Sequence, residues 1–332
     1  MLNDKSILLT GGTGSFGMEF VRTVLQNYKP RRLIIFSRDE LKQFEMAQHF
    51  SPQVYPCLRY FIGDVRDADR LRRALRRVDI VIHAAALKQV PAAEYNPAEA
   101  VKTNIGGAVN LIDACIDTGV SKCIALSTDK AVNPVNLYGA TKLCSDKLFI
   151  AGNHYSGYEE TLFSIVRYGN VMGSRGSVIP LFLKLRETGR LPITDPEMTR
   201  FWLEIHDGIQ FVLTSLASME GGEIFIPKIP SMRVVDLAKA ICPDCELDVT
   251  GVRPGEKIHE IMIPAEEARN AREYDKHYVI YPINRNLDHW PSARKGAHLP
   301  HGFEYKSNTN TWWISKEQLR ECVQKMYPTA NI

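Results

Sequence analysis

The chain has 332 residues, 45% of them hydrophobic and 24% charged, with a formal net charge of +3; these values belong to a globular protein and exclude a disordered one. Lys and Arg are interspersed with acids throughout, which excludes the electrostatic footprint of a nucleic-acid partner. The start, "MLNDKSILLTGG", lacks a basic region followed by an apolar core, and no stretch approaches the roughly 18 apolar residues that span a bilayer, so the expectation is a cytoplasmic protein with no membrane partner.

Taken in chain order, short apolar runs at 6–10 (SILLT), 32–36 (RLIIF), 58–63 (LRYFIG), 79–86 (DIVIHAAA), 122–127 (KCIALS) and 162–169 (LFSIVRYG) read as strands buried on both faces. Amphipathic stretches lie between them, such as 18–28 (MEFVRTVLQNY) and 68–78 (ADRLRRALRRV). Repeated β-α-β of this kind predicts an α/β protein with a Rossmann-type, doubly wound parallel sheet. Beyond residue 175 the rhythm weakens into segments rich in Pro, Gly and charge. We therefore divide the chain into a dinucleotide-binding domain over 1–175 and a smaller, interleaved domain over 176–332, with some later segments returning to the first. The tail from 285 reads as irregular.

Directly after the first strand, "TGGTGSFG" places Gly11, Gly14 and Gly17 at the mouth of a helix, with Thr13, Ser15 and Phe16 among them. Glycines there allow a tight turn and let backbone N–H groups approach a pyrophosphate at the positive helix end. The second strand runs into Ser37, Arg38, Asp39, Glu40, Leu41 and Lys42. A hydroxyl and a guanidinium where an acid would bind NAD ribose suit a 2′-phosphate, with Lys42 as a second cation, so the sequence favours NADP over NAD. Asp39 and Glu40 keep NAD as the alternative. Asp64 and Val65 follow the third strand, where an adenine would lie, and the small Ala84, Ala85 and Ala86 end the fourth.

Tyr138 and Lys142 stand four apart on one predicted helix and share a face. A nearby ammonium lowers a phenol from its usual pKa of about 10 and lets it act as a base. With Thr128 upstream, this YxxxK pattern is that of short-chain dehydrogenases and reductases. The likeness then narrows. "TGGTGSFG", "SRDELK", "IGDVRD", "HAAALKQVPAAEYNP", "KTNIGGAVN", "ALSTDKAVNPVNLYGATKL", "RYGNVMGSRGSVIPLF", "MTRFW" and "VRPGEKIHE" together resemble the extended short-chain enzymes acting on nucleotide sugars, specifically the inverting UDP-N-acetylglucosamine 4,6-dehydratases that begin the pseudaminic acid pathway.

The resemblance implies that Tyr138 takes the proton of the sugar 4-hydroxyl as hydride leaves carbon 4, steadied by Thr128 and supported by Lys142. Lys130 then removes the acidified carbon 5 proton, Asp129 protonates the leaving 6-hydroxyl, and hydride returns to carbon 6, giving a UDP-2-acetamido-2,6-dideoxy-L-arabino-hexos-4-ulose. A neutral Lys130 requires burial and neighbouring positive charge to lower it from about 10.4. Related retaining enzymes often carry Glu where Lys130 stands. By the same resemblance Val171 lies beside the cofactor, Lys88 lies between cofactor and sugar, Asn170, Arg175, Gly176, Ser177 and Val178 line the sugar pocket, Arg200 and Arg253 hold the diphosphate, and Glu256 binds a ribose hydroxyl. Homo-oligomers through the helical regions 92–118 and 138–155 are also implied.

Seven cysteines, an odd number without a leader, predict reduced thiols, and Cys242 and Cys245 of "CPDC" read as ordinary turn cysteines. No metal-site spacing is present, and His259 and Glu260 read as structural. A nucleotide-sugar epimerase on the same scaffold is the alternative: it uses Tyr138 but has no need of Asp129 and Lys130.

Overall fold

The computed structural model describes residues 1–157, 160–173, 177–283 and 289–330. All six predicted strands form: β1 (Ser6–Thr10), β2 (Arg32–Ser37), β3 (Leu58–Ile62), β4 (Ile80–His83), β5 (Lys122–Thr128) and β6 (Leu162–Tyr168). They pair in parallel in the order β6-β5-β4-β1-β2-β3. The chain thus builds outward from β1 in one direction and from β4 in the other. That reversal opens a crevice beyond the carboxyl ends of β1 and β4, where doubly wound sheets bind ligands.

Apolar runs without alternation form these strands because helices cover both faces, and β1 is buried along its whole length. β3 departs from that expectation. It closes one edge of the sheet, and its Arg59 and Ile62 are exposed. Among the crossover helices are α1 (Ser15–Asn27), α2 (Glu40–His49), α3 (Ala68–Ala74), α4 (Val90–Tyr95), α5 (Pro97–Val101), α6 (Gly107–Thr118) and α7 (Leu137–Tyr155). α3 stops short of the predicted 78 because the chain turns back through Arg77, which adopts a left-handed φ of 58°.

After β6 the chain leaves the sheet and returns. Ile224–Pro227 pairs parallel to β6, His277–Ile280 pairs antiparallel to Ile224–Pro227, and Ala271–Glu273 and Ala297–His298 follow, giving a ten-stranded sheet among the described residues. Part of the tail that reads as irregular is therefore a sheet edge. Trp290 within it is buried and donates its indole N–H to the Gly221 carbonyl at 2.9 Å. A second apolar cluster, including Ile179, Phe182, Trp202, Leu237, Leu319 and Val323, draws on the helices Val178–Leu185, Val234–Ile241 and Lys316–Met326. No helix among the described residues is long and apolar enough to cross a membrane.

The cysteines depart from expectation at one place. Cys242 and Cys245 form a disulfide just beyond the helix Val234–Ile241, where the tight turn brings their Cα atoms to 5.4 Å, a separation a bridge can span. The other five cysteines are free thiols.

Phe149 of α7 is fully buried between the His83 ring at 5.4 Å and the Phe163 ring at 6.1 Å, joining helix to sheet. Phe149→Ala should cost about 3–5 kcal/mol, measured as a lower urea midpoint with an unchanged slope.

Candidate active site

A groove of about 1120 Å³ runs over the crevice, from the glycine turn after β1 to the second apolar cluster. Gly11 has a left-handed φ of 65°, and a Cβ there would fall 2.8 Å from the Ala85 nitrogen. A Cβ on Gly17 would meet the Gly12 carbonyl oxygen at 1.9 Å, so Gly17 lets α1 seat against the turn beneath the groove. Gly14 differs: the nearest atom to its Cβ would be 3.4 Å away, and it caps α1 without a side-chain hydrogen bond. What its bareness leaves open is the approach to the helix N-terminus, the positive, donor-rich end that receives a phosphate. Thr10 Oγ1 accepts from the Ala84 and Ala85 amides at 3.2 Å each and joins His83 Nδ1 at 2.8 Å, tying the ends of β1 and β4 into one wall. These features fit a dinucleotide.

Ser37, Arg38, Asp39, Lys42, Asp64 and Val65 line the far end. Asp39 caps α2 by accepting from the Lys42 amide at 3.0 Å and pairs with Lys42 Nζ at 2.6 Å, contacts that hold its carboxyl below the usual range. Asp64 is engaged by Arg66 at 2.6 Å and by Arg38 at 3.6 Å. Burial pushes Asp64 up, but the Arg66 hydrogen bonds outweigh it and leave the carboxyl depressed. Glu40 and the exposed Leu41 belong to the first turn of α2 and do not line the groove.

At the other end of β5, Thr128 caps a 3₁₀ turn, Asp129–Ala131, through the Lys130 amide. Its hydroxyl donates to Asp129 Oδ1 at 2.9 Å and shares a hydrogen bond with Tyr138. Thr128, Lys130, Tyr138 and Lys142 line the groove, while Asp129 is fully buried just behind them. Lys130 Nζ lies 3.1 Å from Asp129 Oδ1, 3.2 Å from Asn170 Oδ1 and 3.4 Å from Glu260 Oε1.

Two electrostatic expectations are corrected. Burial alone draws Lys130 toward the neutral amine, yet Asp129 and Glu260 overrule it and raise its pKa above the ordinary value; the free protein holds an ammonium. Tyr138 is likewise pushed up to about 12, chiefly by burial, although Lys130 and the Thr128 hydrogen bond pull the other way. Lys142 is lowered by burial, partly offset by Asp146. Lys88 is lowered by burial and then by the charge of Lys130.

Ala84, Ala85, Ala86 and Lys88 line the middle of the groove, and Asn170, Val171, Ser177, Val178, Arg200, Arg253 and Glu256 its far wall. Arg175 and Gly176 lie outside the described residues. The buried Arg200 guanidinium donates to the Thr199 and Ile258 carbonyls at 2.7 and 3.0 Å. The loop carrying Arg253 and Glu256 is fastened to α7: Asn136 caps that helix by accepting from the Gly139 amide at 2.8 Å and donates to the Gly255 carbonyl at 2.7 Å.

Three residues of the site are not singled out by the sequence. Glu260, which reads as structural, contacts Lys130, and its position four after Glu256 in "GEKIHE" is the only signal. Asp146 stands one helical turn beyond Lys142, accepts from Ser127 Oγ at 2.6 Å, and is accessible from the same spacing as Tyr138 and Lys142. Asn104, in a π-helical turn (Lys102–Gly106), clamps the loop bearing Lys88 by bonding both backbone groups of Leu87, at 2.8 and 2.9 Å, and Thr141 Oγ1 at 3.0 Å. π-bulges of this kind gather at functional sites and leave no sequence pattern.

A switch-point cradle joined to a Tyr-Lys-Thr site defines an enzyme of the short-chain dehydrogenase/reductase class that uses a nicotinamide cofactor. The family described as polysaccharide biosynthesis protein matches residues 7–282. The chain is 56% identical over 331 residues to the UDP-N-acetylglucosamine 4,6-dehydratase (inverting) of Campylobacter jejuni subsp. jejuni serotype O:2, covering 97% of this chain and 98% of the relative. The structure of Pen from Bacillus thuringiensis superposes with a TM-score of 0.88 at 36% identity, over 98% of this chain and 99% of that one. DesIV, a dTDP-glucose 4,6-dehydratase from Streptomyces venezuelae solved with NAD bound, gives 0.69 at 26% identity over 76% and 86%. The chain belongs to the polysaccharide biosynthesis protein family, among the short-chain enzymes that include the inverting UDP-N-acetylglucosamine 4,6-dehydratases.

Because Asn136 both caps α7 and holds the 253–260 loop, Asn136→Ala should lower stability by about 1 kcal/mol. Amide exchange at 253–260 should quicken beyond the general loss of stability; equal protection in both proteins would show that the loop is held from elsewhere.

Proposed function

We propose that the protein is a UDP-N-acetylglucosamine 4,6-dehydratase that inverts carbon 5 and forms the UDP-2-acetamido-2,6-dideoxy-L-arabino-hexos-4-ulose used at the start of pseudaminic acid synthesis. The observation that carries this reading is the placement of an acid and an amine, Asp129 and Lys130, 3.1 Å apart and beside the Tyr138 site. An epimerase needs only the latter.

A nicotinamide held in the cradle supplies oxidation at carbon 4 and reduction at carbon 6. Arg38 and Lys42 at the adenosine end support NADP, because Asp39 is occupied as a helix cap by Lys42. Tyr138 takes the 4-hydroxyl proton as a tyrosinate, which the Lys142 ammonium stabilises once the phenol has passed its own proton to solvent, with Thr128 orienting the sugar hydroxyl. A ketone at carbon 4 then acidifies carbon 5.

Lys130 has to give up a proton before it can take this one. Asp129 Oδ1 is its acceptor: moving one proton from Nζ to Oδ1 leaves an amine and a carboxylic acid, the two forms elimination needs, without changing the total charge. A sugar filling the groove excludes water and favours this uncharged pair. Lys130 then removes the carbon 5 proton as the carbon 6–oxygen bond breaks. Asp129 is buried behind the groove wall, so its proton reaches the leaving oxygen through the Thr128 hydroxyl, 2.9 Å from Oδ1. Water departs, and Lys130 and Asp129 are again an ion pair. A solvent-derived proton added to carbon 5 from the face opposite Lys130 inverts it, while Tyr138 returns the 4-hydroxyl proton to solvent; the inversion is supported by the 56% identity to an inverting relative.

Arg200, Arg253 and Glu256 suit a UDP group, with Lys88 and Asn170 nearer the sugar. Exposed Tyr95, Val101, Val109 and Tyr155 on α4–α7 support a homo-oligomer formed through these helices, and the lack of a membrane-crossing helix among the described residues agrees with a cytoplasmic site of action.

Purified protein incubated with UDP-N-acetylglucosamine in deuterated water should yield a product that has lost one water and gained deuterium at carbon 5. An isomer of unchanged composition would establish the epimerase instead. Lys130→Ala should slow carbon 5 exchange by about 10²–10⁴-fold while still oxidising carbon 4. Arg38→Ala should weaken NADP binding by about tenfold and leave NAD binding unaltered.

A further inference from the structure

Glu260 immediately precedes the strand Ile261–Ile263 and is 2% exposed. Its backbone is pinned on both sides: its N–H donates to Ser307 Oγ and its carbonyl accepts from the Ser307 amide, each at 2.9 Å, while Ser307 Oγ joins Thr199 Oγ1 at 2.7 Å. The side chain leaves this anchor toward cations. Oε1 lies 3.4 Å from Lys130 Nζ and 3.9 Å from Arg200 Nε, and Oε2 lies 3.9 Å from Lys257 Nζ.

A carboxylate buried to hold the fold together would have both oxygens hydrogen-bonded. Oε2 of Glu260 has no hydrogen bond among the described residues. Its relation to its neighbours is therefore one of charge. The groups facing Lys130 are Asp129 from its own turn, Glu260, Arg200 from the strand Thr199–Leu203, Lys88 from the loop after β4, Lys257, and the hydroxyl of Tyr138 from α7, with the neutral Asn170 as a further contact. Without Glu260, Asp129 would be the one carboxylate in a cluster of four cations.

Building on the dehydratase reading above, we propose that Glu260 is a positioning residue for Lys130: it steers the ammonium beside Asp129 and sets the pH range over which that pair keeps the one proton that elimination uses. The sign follows from Coulomb's law. A negative neighbour makes the last proton of the Lys130–Asp129 pair harder to lose, so it extends activity toward alkaline pH. Removing the charge makes that proton easier to lose, and the pair reaches the amine–carboxylate state, which has a base and no acid, at lower pH.

The test is the pH profile of carbon 5 deuterium exchange in wild type, Glu260→Gln and Glu260→Asp. Glu260→Gln should bring the alkaline limb down by about one pH unit or more, and Glu260→Asp, which retains the charge, should keep the wild-type limb even at a lower rate. A Glu260→Gln profile that is merely scaled down, with the limb in place, would overturn the proposal. A second measurement needs no turnover: competitive acetylation, read by mass spectrometry, should show Lys130 becoming reactive at higher pH in the wild type than in Glu260→Gln. Reactivity of Lys130 at the same or lower pH would also overturn it. A wild-type protein that releases no water from the substrate at any pH would sink the dehydratase reading, while the acetylation result would still decide whether Glu260 holds the ammonium.

Discussion

The seating of α7 on the turn after β5 is the contact on which the rest of the site depends. A Cβ on Gly139 would fall 2.1 Å from the Lys130 carbonyl oxygen, so glycine there lets helix and turn touch backbone to backbone. This closeness puts Tyr138 within hydrogen-bonding reach of Thr128, and thereby joins a helix-borne phenol to the acid and amine of the 3₁₀ turn. The surrounding structure fixes α7 at several heights: Asn136 at its cap, Asn104 against Thr141, and Ser127 against Asp146. Side chains held on rigid elements in this way need no loop to close before they are aligned.

Electrostatics in the free protein is a contest between desolvation and pairing, and the two sides win at different residues. At Tyr138 desolvation wins and the phenol stays protonated. At Lys130 pairing wins because two carboxylates stand within 3.4 Å. An ammonium caught between two carboxylates is a poor base, and a phenol held near 12 is no better. The resting site is thus a stored arrangement of protons, released when a ligand changes the dielectric and the charges around it.

Much of this arrangement is legible in the amino-acid sequence. Strand positions follow from the unalternating runs SILLT, RLIIF and KCIALS, since burial on both faces removes the polar half of the pattern. The glycine turn and the Tyr138/Lys142 pair are legible because each depends on local spacing within one element. Glu260 is not, for the opposite reason. It meets Lys130 from far along the chain, a contact made by the return of the backbone through Thr199 and Ser307. The protonation of Lys130 is hidden from the sequence because its sign depends on which charges converge, and local spacing supplies Asp129 but not Glu260. The tail strand Ala297–His298 is too short to carry a pattern, and it exists because the edge at Ala271–Glu273 offers hydrogen bonds.

Some of the buried oxygens left without hydrogen bonds are carboxyl oxygens at the groove. Among the described residues, Asp129 Oδ2, Glu256 Oε2 and Glu260 Oε2 lie in or directly behind the groove wall, and the Asp129 and Glu260 carboxyls face Lys130. An unsatisfied buried polar atom costs about 1–3 kcal/mol, so a fold that keeps three of them around one site is less stable there than it could be. Apolar replacements would relieve that cost and remove the function. Retaining them is intelligible where a ligand supplies the missing donors: its binding free energy then includes relief of a penalty already built into the protein, and tight association with substrate needs less contact elsewhere. A related economy shows in Asp129 and Lys130, which are neighbours in sequence. Adjacent residues on a single 3₁₀ turn are held within hydrogen-bonding distance of each other, with the hydroxyl of Thr128 beside them.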